Sequence, residues 1–196
     1  MKMCVFSGTF NPIHNGHLYM AEYVLEKFGF SKILFIPAFK PPFKENFPEL
    51  TQHRFNIVKL AIEDNPRFEI SDIEYRLGGK SYTYRTICEL YKEYEIDGKI
   101  SFIIGTDAFE TLDKWYESEK LRKLVDFIVF VRKNDFDIKK YDKMKEKGYC
   151  FKFAQMQFND ISSTEIRKKI HDNLPLKGLL PEKAERYIKE NGLYKN

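Results

Sequence analysis

His14 and His17 stand three residues apart, directly after the turn Ser7-Gly8-Thr9-Phe10-Asn11-Pro12. Two imidazoles at that spacing bring hydrogen-bond donors to one spot. A short apolar run, Met3-Cys4-Val5-Phe6, precedes the turn, and Leu18, Ala21, Leu25 and Phe28 recur after it at helical spacing. A strand, a tight turn and a helix start, in that order, make a phosphate site. The first amides of a helix lack internal partners, and the dipole there favours an anion. Gly8 lets a phosphate approach the backbone closely. Zinc is the competing chemistry for paired histidines, but no Cys, Asp or Glu stands at ligand spacing beside them, so no metal site is expected.

A second constellation is Ile161-Ser162-Ser163-Thr164-Glu165-Ile166-Arg167. A hydroxyl just before a helix normally caps it, and capping alone explains Ser162 or Ser163. Three hydroxyls in a row with an arginine one turn on exceed that need.

The string Gly8-Thr9-Phe10-Asn11-Pro12-Ile13-His14-Asn15-Gly16-His17 resembles the signature of the nucleotidylyltransferase superfamily, and Ser162–Arg167 resembles its second motif. Ser7 stands where a first Gly is usual and Asn11 where Asp is usual; both are small and compatible with a turn. Further stretches are similar to the nicotinate-nucleotide adenylyltransferase branch: Pro37–Lys44, with Phe43 where His is usual, then Asp72-Ile73-Glu74, Ser81-Tyr82-Thr83, Ile104-Gly105-Thr106-Asp107 and Trp115-Tyr116.

The resemblance implies a reaction of ATP, carrying Mg²⁺, with nicotinate mononucleotide to give deamido-NAD and pyrophosphate. His14 and His17 would be catalytic. ATP would meet Gly8, Thr9, Phe10, His14, His17, Gly105, Asp107, Ile161, Ser162, Ser163, Thr164 and Arg167. The mononucleotide would meet Lys44, Thr83, Trp115 and Tyr116. Another adenylyltransferase, acting on phosphopantetheine or nicotinamide mononucleotide, is the nearest rival. A silent nucleotide-binding regulator is the rival of another class.

These residues need elements to position them. Strand and helix patterns alternate, which predicts an α/β protein with a Rossmann-like doubly wound parallel sheet and helices on both faces. Strands are expected at Met3–Phe6, Lys32–Ile36, Phe68–Ile70, Ile100–Ile104, Phe127–Val131 and Phe151–Phe153. Helices are expected at Thr51–Asp64, Tyr82–Tyr94, Ala108–Leu112, from Trp115-Tyr116 to Leu124, Asp135–Lys147 as an exposed basic helix, Glu165–His171 and Pro181–Glu190. Phe55, Val58 and Ile62 should face inward from the second helix. Four prolines between Pro37 and Pro48 mark a loop, and Ser71–Lys80 reads as a polar connection.

The length of 196 residues suits a single nucleotidylyltransferase domain over 1–196. No run of eighteen apolar residues and no basic-then-apolar leader is present, so no membrane partner is expected and the setting is read as cytoplasmic. Cys4, Cys88 and Cys150 are too few and too scattered for a disulfide framework, and Cys4 and Cys88 are read as reduced core residues. A formal charge of +4 suits anionic small substrates, and without a basic aromatic stripe no nucleic acid partner is expected. Lys143–Lys147 alternates in charge as a solvated face does. A homo-oligomer is left open.

Overall fold

Period-two alternation along the strands puts apolar side chains on both faces of the sheet, so both faces must be covered. The computed structural model describes residues 2–42, 47–131, 137–155 and 161–195. In chain order these form β1 (Cys4–Gly8), α1 (Asn15–Phe28), β2 (Ile33–Pro37), α2 (Thr51–Ile62), β3 (Phe68–Ile70), α3 (Ile73–Leu77), α4 (Thr83–Glu93), β4 (Ile100–Gly105) and α5 (Thr106–Phe109). They continue with α6 (Ser118–Leu124), β5 (Val125–Val131), α7 (Asp142–Glu146), β6 (Phe151–Gln155), α8 (Ser163–His171) and α9 (Glu182–Glu190). The strands form one sheet of order β3-β2-β1-β4-β5-β6, and every neighbouring pair is parallel.

Cys4 and Phe6 of β1, Ile33 and Phe35 of β2, Ile103 of β4 and Ile128 and Phe130 of β5 pack into one apolar layer with α1, α2, α8 and α9. Val5, Leu34, Ile36, Phe102, Ile104, Phe127 and Val129 pack into the other, with residues of α3, α4, α5, α6 and α7. This is the doubly wound α/β arrangement that the alternating pattern predicts. The chain reverses its direction of travel across the sheet between β1 and β4. In such sheets ligands bind outside the carboxyl ends of the strands at that switch point. No helix among the described residues is long and apolar enough to cross a membrane.

Several local expectations are corrected. Ser71–Lys80 is not simply a polar connection: it contains α3, anchored by the fully buried Ile73 and by Glu74, 4% exposed. Five residues are too few for a periodic apolar signal to emerge. Trp115 and Tyr116 do not open a helix. A 3₁₀ turn over Leu112–Lys114 ends at an extended Trp115, Glu117 takes a left-handed φ of 54°, and α6 begins at Ser118. The helix expected at Ala108–Leu112 is instead α5, three residues earlier in its close and two in its start. The basic stretch up to Lys147 is a 3₁₀ turn, Ile138–Tyr141, followed by α7, and it buries Tyr141 and Met144; Asp135 lies outside the described residues. Cys4 is buried as expected, but Cys88 is only half-buried. On α2, Val58 and Ile62 are buried, whereas Phe55 is half-exposed against Tyr75 and the buried place on that face belongs to Arg54.

Candidate active site

The β1–α1 loop is folded around a hydrophobic side chain. Phe10 takes a left-handed φ of 45° and is 3% exposed, its ring against Phe6 and Phe35. A Cβ at Gly8 would stand 3.2 Å from the Phe10 ring, so this glycine provides the close approach. The peptide bond between Asn11 and Pro12 is cis. α1 then starts at Asn15, with His14 as its N-cap and His17 inside its first turn. The His17 N–H donates to the His14 carbonyl at 2.9 Å, and the His14 N–H donates to His17 Nδ1 at 3.3 Å. That second bond makes Nε2 the protonated nitrogen of a neutral His17 ring. The two rings stack with centroids 3.7 Å apart, and Phe10 meets His17 edge-on at 5.2 Å. His14 is buried under the half-buried His17. A Cβ on Gly16 would stand 3.0 Å from His14 Nδ1, so the glycine makes room for the imidazole.

The second motif arrives at the same loop. Ser163 Oγ donates to the Pro12 carbonyl at 2.9 Å, and Arg167 Nη1 donates to the Asn11 carbonyl at 2.7 Å. Ile161 lies 3.5 Å from where a Gly16 Cβ would be. Ser162 is the N-cap of α8, its Oγ accepting from the Glu165 N–H at 3.1 Å. Arg167 Nη2 donates to Thr164 Oγ1 at 3.3 Å. Residues 151 to 183 positions apart thus meet, since Tyr194 also donates to Asn11 Oδ1 at 2.8 Å.

A cavity of about 550 Å³ opens along the carboxyl ends of β1 and β4. Gly8, Thr9, Phe10, His17, Ser163, Thr164 and Arg167 line it from one layer of the fold, and Thr83, Gly105, Trp115 and Tyr116 line it from the other. Trp115 is half-buried; Tyr116 is 46% exposed and stacks on Tyr82 at 4.6 Å. His14, buried under His17, and Ile161, Ser162 and Asp107 are not among the lining residues, and Asp107 lies on an exposed part of α5. Lys44 and Phe43 lie outside the described residues. Among the described residues no group of three or more His, Cys, Asp or Glu side chains could hold a metal ion.

Two buried charges near the cavity carried no assigned role in the sequence. Arg54 is 3% exposed and donates to the Thr9 carbonyl from Nη1 at 2.7 Å and to the Phe39 carbonyl from Nη2 at 3.1 Å. Burial pulls its guanidinium below its ordinary value, with Tyr75, Tyr194 and Glu74 acting the other way. Glu74 lines the cavity; its carboxyl is raised by burial against the pull of hydrogen bonds from Ser81, Thr86 and Phe39 and of the Arg54 charge. Burial likewise pushes Tyr75 up to about 12 and raises Tyr194. A signal for Arg54 existed: it falls at helical spacing with Ile57, Val58 and Ala61, a charge within an apolar stripe.

A cytidylyltransferase-like family model matches residues 5–169. The nicotinate-nucleotide adenylyltransferase of Bacillus subtilis is 39% identical over 196 residues, covering 100% of this chain and 99% of its own. A protein of Caldicellulosiruptor bescii described as a probable nicotinate-nucleotide adenylyltransferase is 40% identical over the full length of both. The solved structure of Plasmodium falciparum nicotinic acid mononucleotide adenylyltransferase complexed with NaAD shares the fold, with a TM-score of 0.76 at 21% identity, covering 98% of this chain and 97% of that one. Two motifs that converge on one loop, a strand order with its crevice at the switch point and full-length relatives at this identity lead to one assignment: the chain belongs to the nicotinate-nucleotide adenylyltransferase family of cytidylyltransferase-like proteins.

Proposed function

We propose that the chain joins ATP and nicotinate mononucleotide into deamido-NAD with release of pyrophosphate. The observation that carries this reading is the docking of α8 on the β1–α1 loop through Ser163–Pro12 and Arg167–Asn11, which sets two helix N-termini on one cavity. The α8 terminus presents amides and a positive dipole end to anions, and α1 adds its dipole end, its Asn15 and His17 amides being taken by the Leu179 and His14 carbonyls. The cavity volume falls within the roughly 300–1,000 Å³ of small-molecule sites.

A phosphate oxygen of the mononucleotide attacks the α-phosphorus of ATP in line. The new P–O bond forms as the bond to the bridging oxygen breaks and pyrophosphate leaves. The mononucleotide phosphate is already a competent nucleophile, so catalysis rests on alignment and charge neutralisation, with no covalent intermediate. His17 donates from Nε2 to the α-phosphate oxygens, held in that tautomer by the His14 N–H. His14 acts from below by stacking on His17. Thr9 and the loop amides cradle the same group, while Thr164, Arg167 and the first amides of α8 hold the leaving β- and γ-phosphates. Ser163 fixes the end of that helix, its hydroxyl proton committed to the Pro12 carbonyl, whereas Ser162 caps the helix by accepting from the Glu165 N–H and keeps its own proton to donate to a phosphate oxygen. Mg²⁺ enters on ATP as part of the substrate, held by phosphate oxygens and water. It neutralises charge on the polyphosphate. Trp115 stacks on the pyridine ring, and Thr83, the Tyr116 amide and Lys44 meet the acid mononucleotide. Asp107 and Gly105 stand at the nucleoside side. The proposed unit is a single catalytic domain over 1–196, in the cytoplasm, where Cys4, Cys88 and Cys150 remain thiols.

The test is incubation of the protein with ATP and Mg²⁺ plus nicotinate mononucleotide, nicotinamide mononucleotide or phosphopantetheine, with separation of products. Deamido-NAD and pyrophosphate should form fastest with the acid mononucleotide. Equal or faster turnover of either other substrate would overturn the assignment of the acid.

A further inference from the structure

A chain of polar contacts, part-buried except for its last buried link, joins two sides of the cavity. At one end Arg54 Nη1 holds the Thr9 carbonyl in the phosphate loop. Arg54 Nη2 holds the Phe39 carbonyl, and the Phe39 N–H in turn donates to Glu74 Oε2 at 3.1 Å. Glu74 Oε1 accepts from Thr86 Oγ1 at 3.0 Å, in α4. Beside this path the Lys40 N–H donates to Ser81 Oγ and the Ser81 N–H to the Lys40 carbonyl, both at 2.9 Å. The path therefore runs from Thr9 through the Phe39 main chain to the helix whose first residue is Thr83.

Packing does not explain these charges. Arg54 sits on a face of α2 otherwise made of Ile57, Val58 and Ala61, where a long apolar side chain would bury at no electrostatic cost. A buried guanidinium persists only where its fork is satisfied, and both carbonyls it finds belong to loops that end at the cavity. Glu74 is equally specific, because each of its oxygens accepts from a different element.

We propose that Arg54 and Glu74 are positioning residues that couple the two substrate sites, tying the Thr9 loop to the start of α4 through the Phe39 main chain so that filling one site orders the other. The inference rests on the two-substrate reading above. ATP and the mononucleotide then tighten each other's binding by the same factor, as linkage requires.

The experiment measures binding of an ATP analogue with a methylene bridge between the α- and β-phosphates, with and without nicotinate mononucleotide, by calorimetry on the full chain. Wild type, Arg54→Lys and Thr86→Val are compared. The lysine keeps the charge and loses the fork. The valine is nearly isosteric, does not line the cavity and removes the far anchor of Glu74, so it serves if the lysine variant does not fold. In wild type the mononucleotide should tighten the analogue about 5- to 100-fold, and in either variant the ratio should fall to about twofold or less. A residue with a merely structural role would lower the melting temperature and leave the ratio intact. A ratio near one in wild type, or one unchanged in a folded variant, overturns the coupling. Deamido-NAD formation by wild type, run in parallel, separates the outcomes: an active enzyme with unaltered coupling loses only this inference, and an inactive one loses the two-substrate reading with it.

Discussion

His17 is gripped on several sides: His14 stacks on one face, Phe10 meets its edge, and the His14 N–H fixes its Nδ1. A donor held this way costs little to reorganise as charge builds at phosphorus. Removing one preorganised donor typically costs about 100- to 1,000-fold in rate. His17→Ala should lose at least that in kcat with its circular dichroism and melting curve close to wild type; near-wild-type pyrophosphate release would remove His17 from the chemistry. Trp115 gives a different signature. Trp115→Ala should raise the KM for nicotinate mononucleotide more than that for ATP, and steady-state kinetics with each substrate varied in turn will show it. Glu74 belongs to this scale through its titration. Burial holds its carboxyl above the ordinary range, so the folded protein binds that proton more tightly than the unfolded chain does. The stabilising contribution is complete below the unfolded value of about 4.3 and is lost as pH rises through the raised folded value. Glu74→Gln cannot titrate. Its melting temperature relative to wild type should therefore climb as pH is raised from about 4 to about 7, and a constant difference would show that burial does not dominate.

At the scale of elements, the first turn of α1 is built around the absence of a side chain at Gly16. Alanine in a helix is about 1 kcal/mol better than glycine by propensity. The added Cβ would nevertheless stand 3.0 Å from the buried His14 ring, which must tilt and carry His17 with it. Misplacement of about 1 Å can cost about 100-fold in rate. Gly16→Ala should thus lower kcat by about tenfold or more while the melting temperature holds or rises, an opposite pairing to that of a plain packing defect. The elements themselves were mostly readable. Runs such as Phe102-Ile103-Ile104 and Phe127–Val131 are buried on both faces, and that leaves a continuous apolar signal. α3 was not readable, being five residues whose hold comes from Ile73 and Glu74 rather than from a periodic face. The start of α6 was misplaced because Glu117 breaks the helix with a left-handed turn that glutamate rarely announces.

Across the whole molecule, the motifs and the doubly wound pattern carried the identity of the site and the meeting of its two halves, but not the contacts that join them. That Ser163 and Arg167 would bind the carbonyls of Pro12 and Asn11 depends on the path of the chain over the sheet, to which no local pattern speaks. Arg54 was missed for a related reason: its partners, Thr9 and Phe39, come from two other segments. Tyr194 completes the set, reaching Asn11 Oδ1 from beyond α9. Tyr194→Phe removes that bond and leaves Asn11 short of a partner in a site where Tyr194 is mostly buried. Denaturant titration should show a loss of about 1 kcal/mol, and the KM for ATP should rise, since the same loop carries both effects.

β1 lies mid-sheet, with Cys4 beside Ile33 on one flank and Ser101 on the other. β1 is therefore enclosed only after β2 and β3 have been made: until the segment around Ser101 has been synthesised and has docked, one of its edges stays bare. Folding of the β1–α1 loop is thus tied to long-range closure, a topology that sets a slow pace. A fragment ending before β4 would keep the whole signature of the first motif and still lack the wall that gives it shape.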